Sequence, residues 1–223
     1  MALRERPDRP EPRRRVAAGE FAPWVSAARA AIRSGGTSDV PCDGCTACCT
    51  SWQFVHIGPD ETDALAHIPA PLLFPAPRLP SGHVVLGYDA EGRCPMLVDG
   101  RCSIYEHRPR ACRTYDCRVF PAAGVTPDDR QGAVAVQVRR WRFDHPTPED
   151  RLRHEAVRRA AAFLRVHPDA LPDGASTANP TQLAALAVVA HEAFLPPPGS
   201  TDPPPDPEPA AVRAALAAGD RLA

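Results

Sequence analysis

Apolar residues recur at helical spacing through residues 21–33, FAPWVSAARAAIR, and the run stops at Gly35-Gly36, a C-terminal breaker. WQFVHI (52–57) then predicts a short strand. GPDETDALAHI (58–68) predicts a helix with Pro59 in its first turn and acidic residues at its positive end. HVVLGYDAEGRCPMLVDGRCSIY (83–105) reads as two short strands joined by a Gly-containing turn, with Asp99-Gly100 as a second turn. In AVAVQVRRWRF the alternation of Val134, Val136 and Val138 predicts another strand. TPEDRLRHEAVRRAAAFLRV predicts a helix with Thr147 as N-cap and Pro148 behind it, and NPTQLAALAVVAHEAFL a helix capped by Asn179. Leu152, Val157, Phe163, Leu164, Leu183, Leu186 and Val189 are their apolar positions and should face a core. PAAVRAALAAGDRLA predicts a short terminal helix that packs weakly or not at all.

Taken together, the pattern predicts an α+β fold: a small, loop-rich cysteine-cluster domain with short strands, flanked by C-terminal helices. At 223 residues the chain has room for one medium domain or a domain with an appendage. The 28 prolines crowd towards both ends, where RPDRPEPRRR and LPPPGSTDPPPDPEPA read as extended, solvated segments. The expected organisation is a disordered Arg/Pro-rich N-terminus over 1–19, a metal-binding domain over 20–145 and a helical extension packed on it over 146–195. A Pro-rich linker with a short helix fills 196–223. Net charge is −1, so no global field attracts nucleic acid or a membrane surface. Lysine is absent and every non-histidine basic residue is arginine.

Cysteine changes the picture. PCDGCTACC places Cys42, Cys45, Cys48 and Cys49 within eight positions, and Cys94, Cys102, Cys112 and Cys117 complete a set of eight. An even count fits disulfides, which need an oxidising compartment. MALRERPDRPEPRRR has no apolar run to serve as a signal-peptide core, and no stretch approaches a membrane span. The expectation is a cytoplasmic protein whose thiols hold metal. Successive C-x-x-C steps let Cys42, Cys45 and Cys48 converge on one centre, whereas the adjacent Cys49 points elsewhere. One arithmetic partition joins Cys42, Cys45, Cys48 and Cys94 in a first centre and Cys49, Cys102, Cys112 and Cys117 in a second. A single shared cluster with spare thiols competes with it.

The distal cysteines sit in GRCPMLVDGRCSIYEHRPRACRTYDC, among Arg101, Arg108, Arg110, Arg113 and Arg118. A thiolate centre is negative, and guanidinium groups beside it offset that charge. Arg108 and Arg113, embedded between ligands, are the arginines expected there. Tyr105 and Tyr115 are expected to cover the centre, and Asp116 to orient an arginine. His56, His67, His83 and His107 lie nearby but are set aside, because a lone histidine is more often a surface or core residue. No Gly-rich phosphate loop, nucleophile elbow or H-E-x-x-H helix occurs, so no catalytic residue is singled out.

CDGCTACC followed by C-P, C-x-I-Y-E-x-R-P and C-R-x-Y resembles the YkgJ-like cysteine-cluster family, the zinc- or iron-chelating CxxCxxCC domain, over about residues 40–120. The resemblance implies metal binding and little more. Flagellin lysine methylases look like relatives with a similar cluster, associated with an iron–sulfur centre and S-adenosylmethionine, but no segment of this chain announces a methyl-donor site. The triple C-x-x-C-x-x-C resembles the wrap around a cubane in bacterial ferredoxins, with Cys94 before Pro95 as the remote ligand, and this favours an iron–sulfur cluster slightly over zinc. Two function classes follow. One is a metal- or cluster-binding protein, redox-active or accessory to a reaction on a protein partner. The other is a zinc-stabilised interaction module without catalysis.

Overall fold

The computed structural model describes residues 15–38, 40, 44–77, 79–128, 132–172, 175–197, 199–200, 202 and 204–217. Cys42 and the Arg/Pro-rich stretch at 1–14 lie outside the described residues. Short strands in small sheets combine with helices in an α+β fold.

A helical core forms one part of the molecule. Helix α1 (Phe21–Ser34) buries Phe21, Trp24, Val25, Ala28 and Ala31, the three- and four-residue steps that put side chains on one face. It ends at Gly35, whose left-handed backbone (φ 67°) lets its N–H return to the Ala31 carbonyl. Helix α1 has no side-chain cap of its own at its start. The Ala22 N–H is met instead by Asp150 Oδ1 at 2.8 Å, from another helix.

That helix runs from Pro148 to Val166 and is preceded by two short helices, Arg110–Thr114 (α3) and Val119–Ala123 (α4), and by Gly132–Val138 (α5). Numbered α6, it opens with the predicted Thr147 cap in a full capping box with Asp150. Helix α7 (Pro180–Ala190) starts where predicted, with Asn179 accepting from the Thr181 and Gln182 N–H groups. It buries Leu183, Ala184 and every residue from Leu186 to Ala190, so it is apolar nearly all round and runs through the core centre. Helices α1, α4, α6 and α7 pack against one another there. Of the apolar positions expected in this core, Val157, Phe163, Leu164, Leu183, Leu186 and Val189 are buried, and Leu152 is half-buried.

Two expectations are corrected in this region. The valine alternation at 134–138 belongs to α5, not to a strand. Val134 and Val138 are also four apart, both are buried, and the interspersed alanines favour helix. The strand comes only at Trp141–Asp144, which pairs in parallel with β1 (Val16–Glu20), Val16 opposite Trp141. The terminal helix α8 (Pro209–Ala217) packs firmly. Val212 and Leu216 are fully buried, Arg213 Nε donates to the Leu171 carbonyl at 2.9 Å, and Arg159 bonds Asp206 at 2.6 Å.

The second part is small. Strands β2 (Val55–Ile57), β3 (Leu73–Pro75) and β4 (Val84–Leu86) form an antiparallel sheet in the order β2-β4-β3. Strands β5 (Leu97–Val98) and β6 (Arg101–Cys102) form a hairpin through the predicted Asp99-Gly100 turn, both residues at positive φ. The Trp141–Asp144 strand is thus β7. Strand β2 is shorter than WQFVHI suggested, because Trp52 takes a left-handed backbone (φ 55°) that ends the extended run. Helix α2 (Thr62–His67) likewise starts after Pro59, which lies in a turn closed by the buried Glu61 carboxylate on the Gly58 N–H. Ile57, Ala64, Ile68, Leu86, Met96 and Ile104 make up the local core, with Cys94 and Cys102 packed against it. No described helix is long and apolar enough to cross a membrane.

Candidate metal centre

The cysteine loop folds into a tight 3-10 turn at Cys48–Thr50, held by Ser51 Oγ on the Ala47 carbonyl (2.6 Å) and Thr50 Oγ1 on the Thr46 carbonyl (3.1 Å). Small hydroxyl residues suit this, since they bond the backbone locally and leave the cysteine side chains unencumbered. The Cys94 N–H donates to the Cys49 carbonyl at 2.7 Å, which ties the loop to the distal cysteines. The β5-β6 hairpin then presents Cys102, and α3 presents Cys112.

Cys48, Cys49, Cys94 and Cys112 line one cavity of about 770 Å³. Its other walls include Trp52, Gln53, Phe54 and Tyr115, with Asn179 and Thr181 from the start of α7. The thiols feel one another. Cys48 is drawn below the ordinary thiol range by the hydrogen bond from Cys49, helped by backbone N–H groups and the Arg108 charge. Cys49 moves upward, because it donates to Cys48 and is desolvated. Cys112, though open to the cavity, sits deep enough that desolvation pushes it up to about 12, with Cys48, Cys94 and Cys102 adding to the rise. Desolvation raises Cys94 as well. Thiols that repel one another's ionisation in this way are a donor set that a cation would relieve.

The remaining expected residues are placed as follows. Cys45 is half-buried in the loop and does not line the cavity. Cys117 is apart from the group: it is buried in the helical core, where Trp141 Nε1 donates to its sulfur at 3.1 Å. Arg108 stands near the thiols, its guanidinium 3.6 Å from the Tyr105 ring centroid and its Nε on the Tyr105 carbonyl. Arg113 is placed by its backbone, its carbonyl accepting the Ser38 N–H at 2.9 Å. Tyr115 lines the cavity, its hydroxyl ionisation suppressed by burial. That hydroxyl and the Gln53 side chain are buried beside one another, without a well-formed hydrogen bond to either Tyr115 Oη or Gln53 Nε2 among the described residues. Asp116 orients an arginine, Arg118, as expected.

Other wall residues carried no readable signal. The Trp52 N–H bonds the Gly92 carbonyl at 2.9 Å, and its indole lies so close over Gly92 that a Cβ there would sit 2.3 Å from the ring. Gly92 is also left-handed (φ 77°), so the wall requires glycine twice over. The N-terminus of α7 reaches the cavity only through tertiary packing.

Comparison with known families finds a match over the same stretch of chain. Residues 41–133 match the family model of the CxxCxxCC domain, described as a putative zinc- or iron-chelating domain. The matched segment spans the cysteine loop, the small sheet, the hairpin and α3–α4, and so contains every thiol of the chain. No curated protein and no solved structure matches the chain.

Proposed function

We propose that this protein holds an iron–sulfur cluster on its CxxCxxCC thiols and presents it to a ligand or partner at the cavity. Cys48, Cys49, Cys94 and Cys112, with Cys42, Cys45 and Cys102 close in chain or space, would supply the ligands. The cluster would bring one-electron or Lewis-acid chemistry, and Arg108 would offset its negative charge. The observation that carries this reading is the open cavity walled by thiols and aromatic side chains. A purely structural metal site is closed on all sides, whereas a working one keeps an approach. Protein purified anaerobically should be brown, with broad visible absorption, and contain iron and acid-labile sulfide. Colourless protein with stoichiometric zinc would overturn it.

A second reading rests on a different observation. The core around Ile57, Leu86 and Ile104 is small, and Cys94 and Cys102 pack against it. A zinc ion would staple such a sheet, and the segment would then be an interaction module without catalysis. The same metal analysis separates the two.

A further inference from the structure

Beyond the thiols, the structure assigns a second cation site on the surface, made by Asp63, His67 and His107, that would take a divalent ion of intermediate softness such as Zn²⁺, Ni²⁺ or Cu²⁺. Asp63 and His67 are four residues apart on α2 and share one face. The turn at Tyr105–His107 packs on α2 and brings His107 from 44 residues away in the chain. The two imidazoles lie face to face, centroids 3.5 Å apart and planes within 4°. His107 Nδ1 is 3.0 Å from Asp63 Oδ2, and His67 Nδ1 is 3.5 Å from Asp63 Oδ1 and 2.8 Å from the Asp63 carbonyl.

One ligand atom from each residue lies within 4.8 Å of the other two. This is the only such trio of histidine, cysteine, aspartate or glutamate among the described residues. Two imidazoles and a carboxylate suit zinc, copper, nickel and ferrous iron, and the missing positions would be filled by water. The site is half-exposed, so an ion could reach it, and one imidazole would turn out of the stack to bring both ring nitrogens onto it. Bound there, it would clamp α2 to the turn that carries Arg108, and so steady the side of the thiol centre where that charge sits. The site does not depend on which metal the thiols hold.

The experiment uses the full chain as purified, with its thiol metal in place, titrated with Ni²⁺ against a chromophoric chelator. Wild type should take up one further equivalent, the His67→Ala/His107→Ala double variant should not, and His167→Ala should match wild type. Iron, zinc and sulfide content, measured in parallel, should be the same in all three, which keeps failure of this site distinct from failure of the thiol reading. Amide NMR of wild type needs no variant: Ni²⁺ should broaden residues 63–67 and 105–108 first. Equal uptake by the double variant, or broadening centred elsewhere, would overturn the assignment.

Discussion

Asp116 joins three parts of the chain. Its carboxylate accepts from Trp24 Nε1 at 2.9 Å and pairs with Arg118 at 2.9 Å, and Arg118 Nη1 reaches the Ala18 carbonyl at 3.1 Å. Both charged side chains are nearly inaccessible, at 5% and 8%. Removing one member would strand the other in a low-dielectric core, a cost of about 3–5 kcal/mol, whereas replacing both with apolar residues is often near neutral. Asp116→Ala should therefore lose that much stability by urea denaturation, and Asp116→Ala/Arg118→Met should recover most of it. If the double variant is as unstable as the single, the effect belongs to the lost Trp24 bond and not to a stranded charge. Asp116 as an arginine's partner was legible in the sequence because D-C-R places them two apart. Trp24 was not, since nothing local connects residues 24 and 116.

Among the elements, the caps of α6 and α7 and the Asp99-Gly100 hairpin could be read in advance because their signals are local: a hydroxyl or amide before a proline, an Asp-Gly pair. α5 could not, because Val134 and Val138 fit a helix face by their four-residue spacing while Val136 between them completes a strand alternation. The α1–α6 junction also escaped sequence reading, and it carries a pH dependence. Asp150 is held down to about 2 by the Thr147 hydroxyl and by the Ala22 and Thr147 N–H groups. Its contribution is therefore present above its ordinary value of 3.8 and lost as pH falls from there towards 2. His154 stacks on Phe21 at 4.2 Å and meets His145 at 2.7 Å. Desolvation, with the Arg158 and His145 charges, lowers it from 6.5 to about 4. The unfolded chain then takes up the proton first, so stability is flat above pH 6.5 and declines between 6.5 and 4. Thermal melts across pH should show both declines. His154→Gln should flatten part of the upper one, and Asp150→Ala should remove the lower one and lower stability at neutral pH, since the Thr147 and Ala22 N–H groups lose their acceptor. An upper decline unchanged in His154→Gln would move that titration to other groups.

At the scale of the whole molecule, the chain builds two cores of unequal strength. The helical one draws on α1, α4, α6 and α7 and is closed by α8, whose approach Arg159 holds through the Pro204 carbonyl and Asp206. Leu216→Ala should cost ~2–5 kcal/mol in denaturant, as for other fully buried leucines, and an unchanged midpoint would show that α8 does not stay docked in solution. Among the described residues the other core contains six buried apolar ones, with Cys94 and Cys102 beside them. Short strands around so little apolar area are marginal unless something else holds them. The thiols are the candidate, since they link the cysteine loop, the hairpin and α3, three segments with little else in common. Stripping the metal with a chelator under reducing conditions should then act on one core only. Amide exchange should accelerate through residues 44–112, while α6 and α7 keep their protection, because Cys117, the thiol within the helical core, is held by packing and by Trp141. The asymmetry follows from where two of the sulfurs sit: Cys94 packs against the small core, whereas Cys117 is buried in the helical one. Uniform acceleration across α6 and α7 would show instead that the helical core leans on the metal, and no acceleration anywhere would show that the small core stands without it.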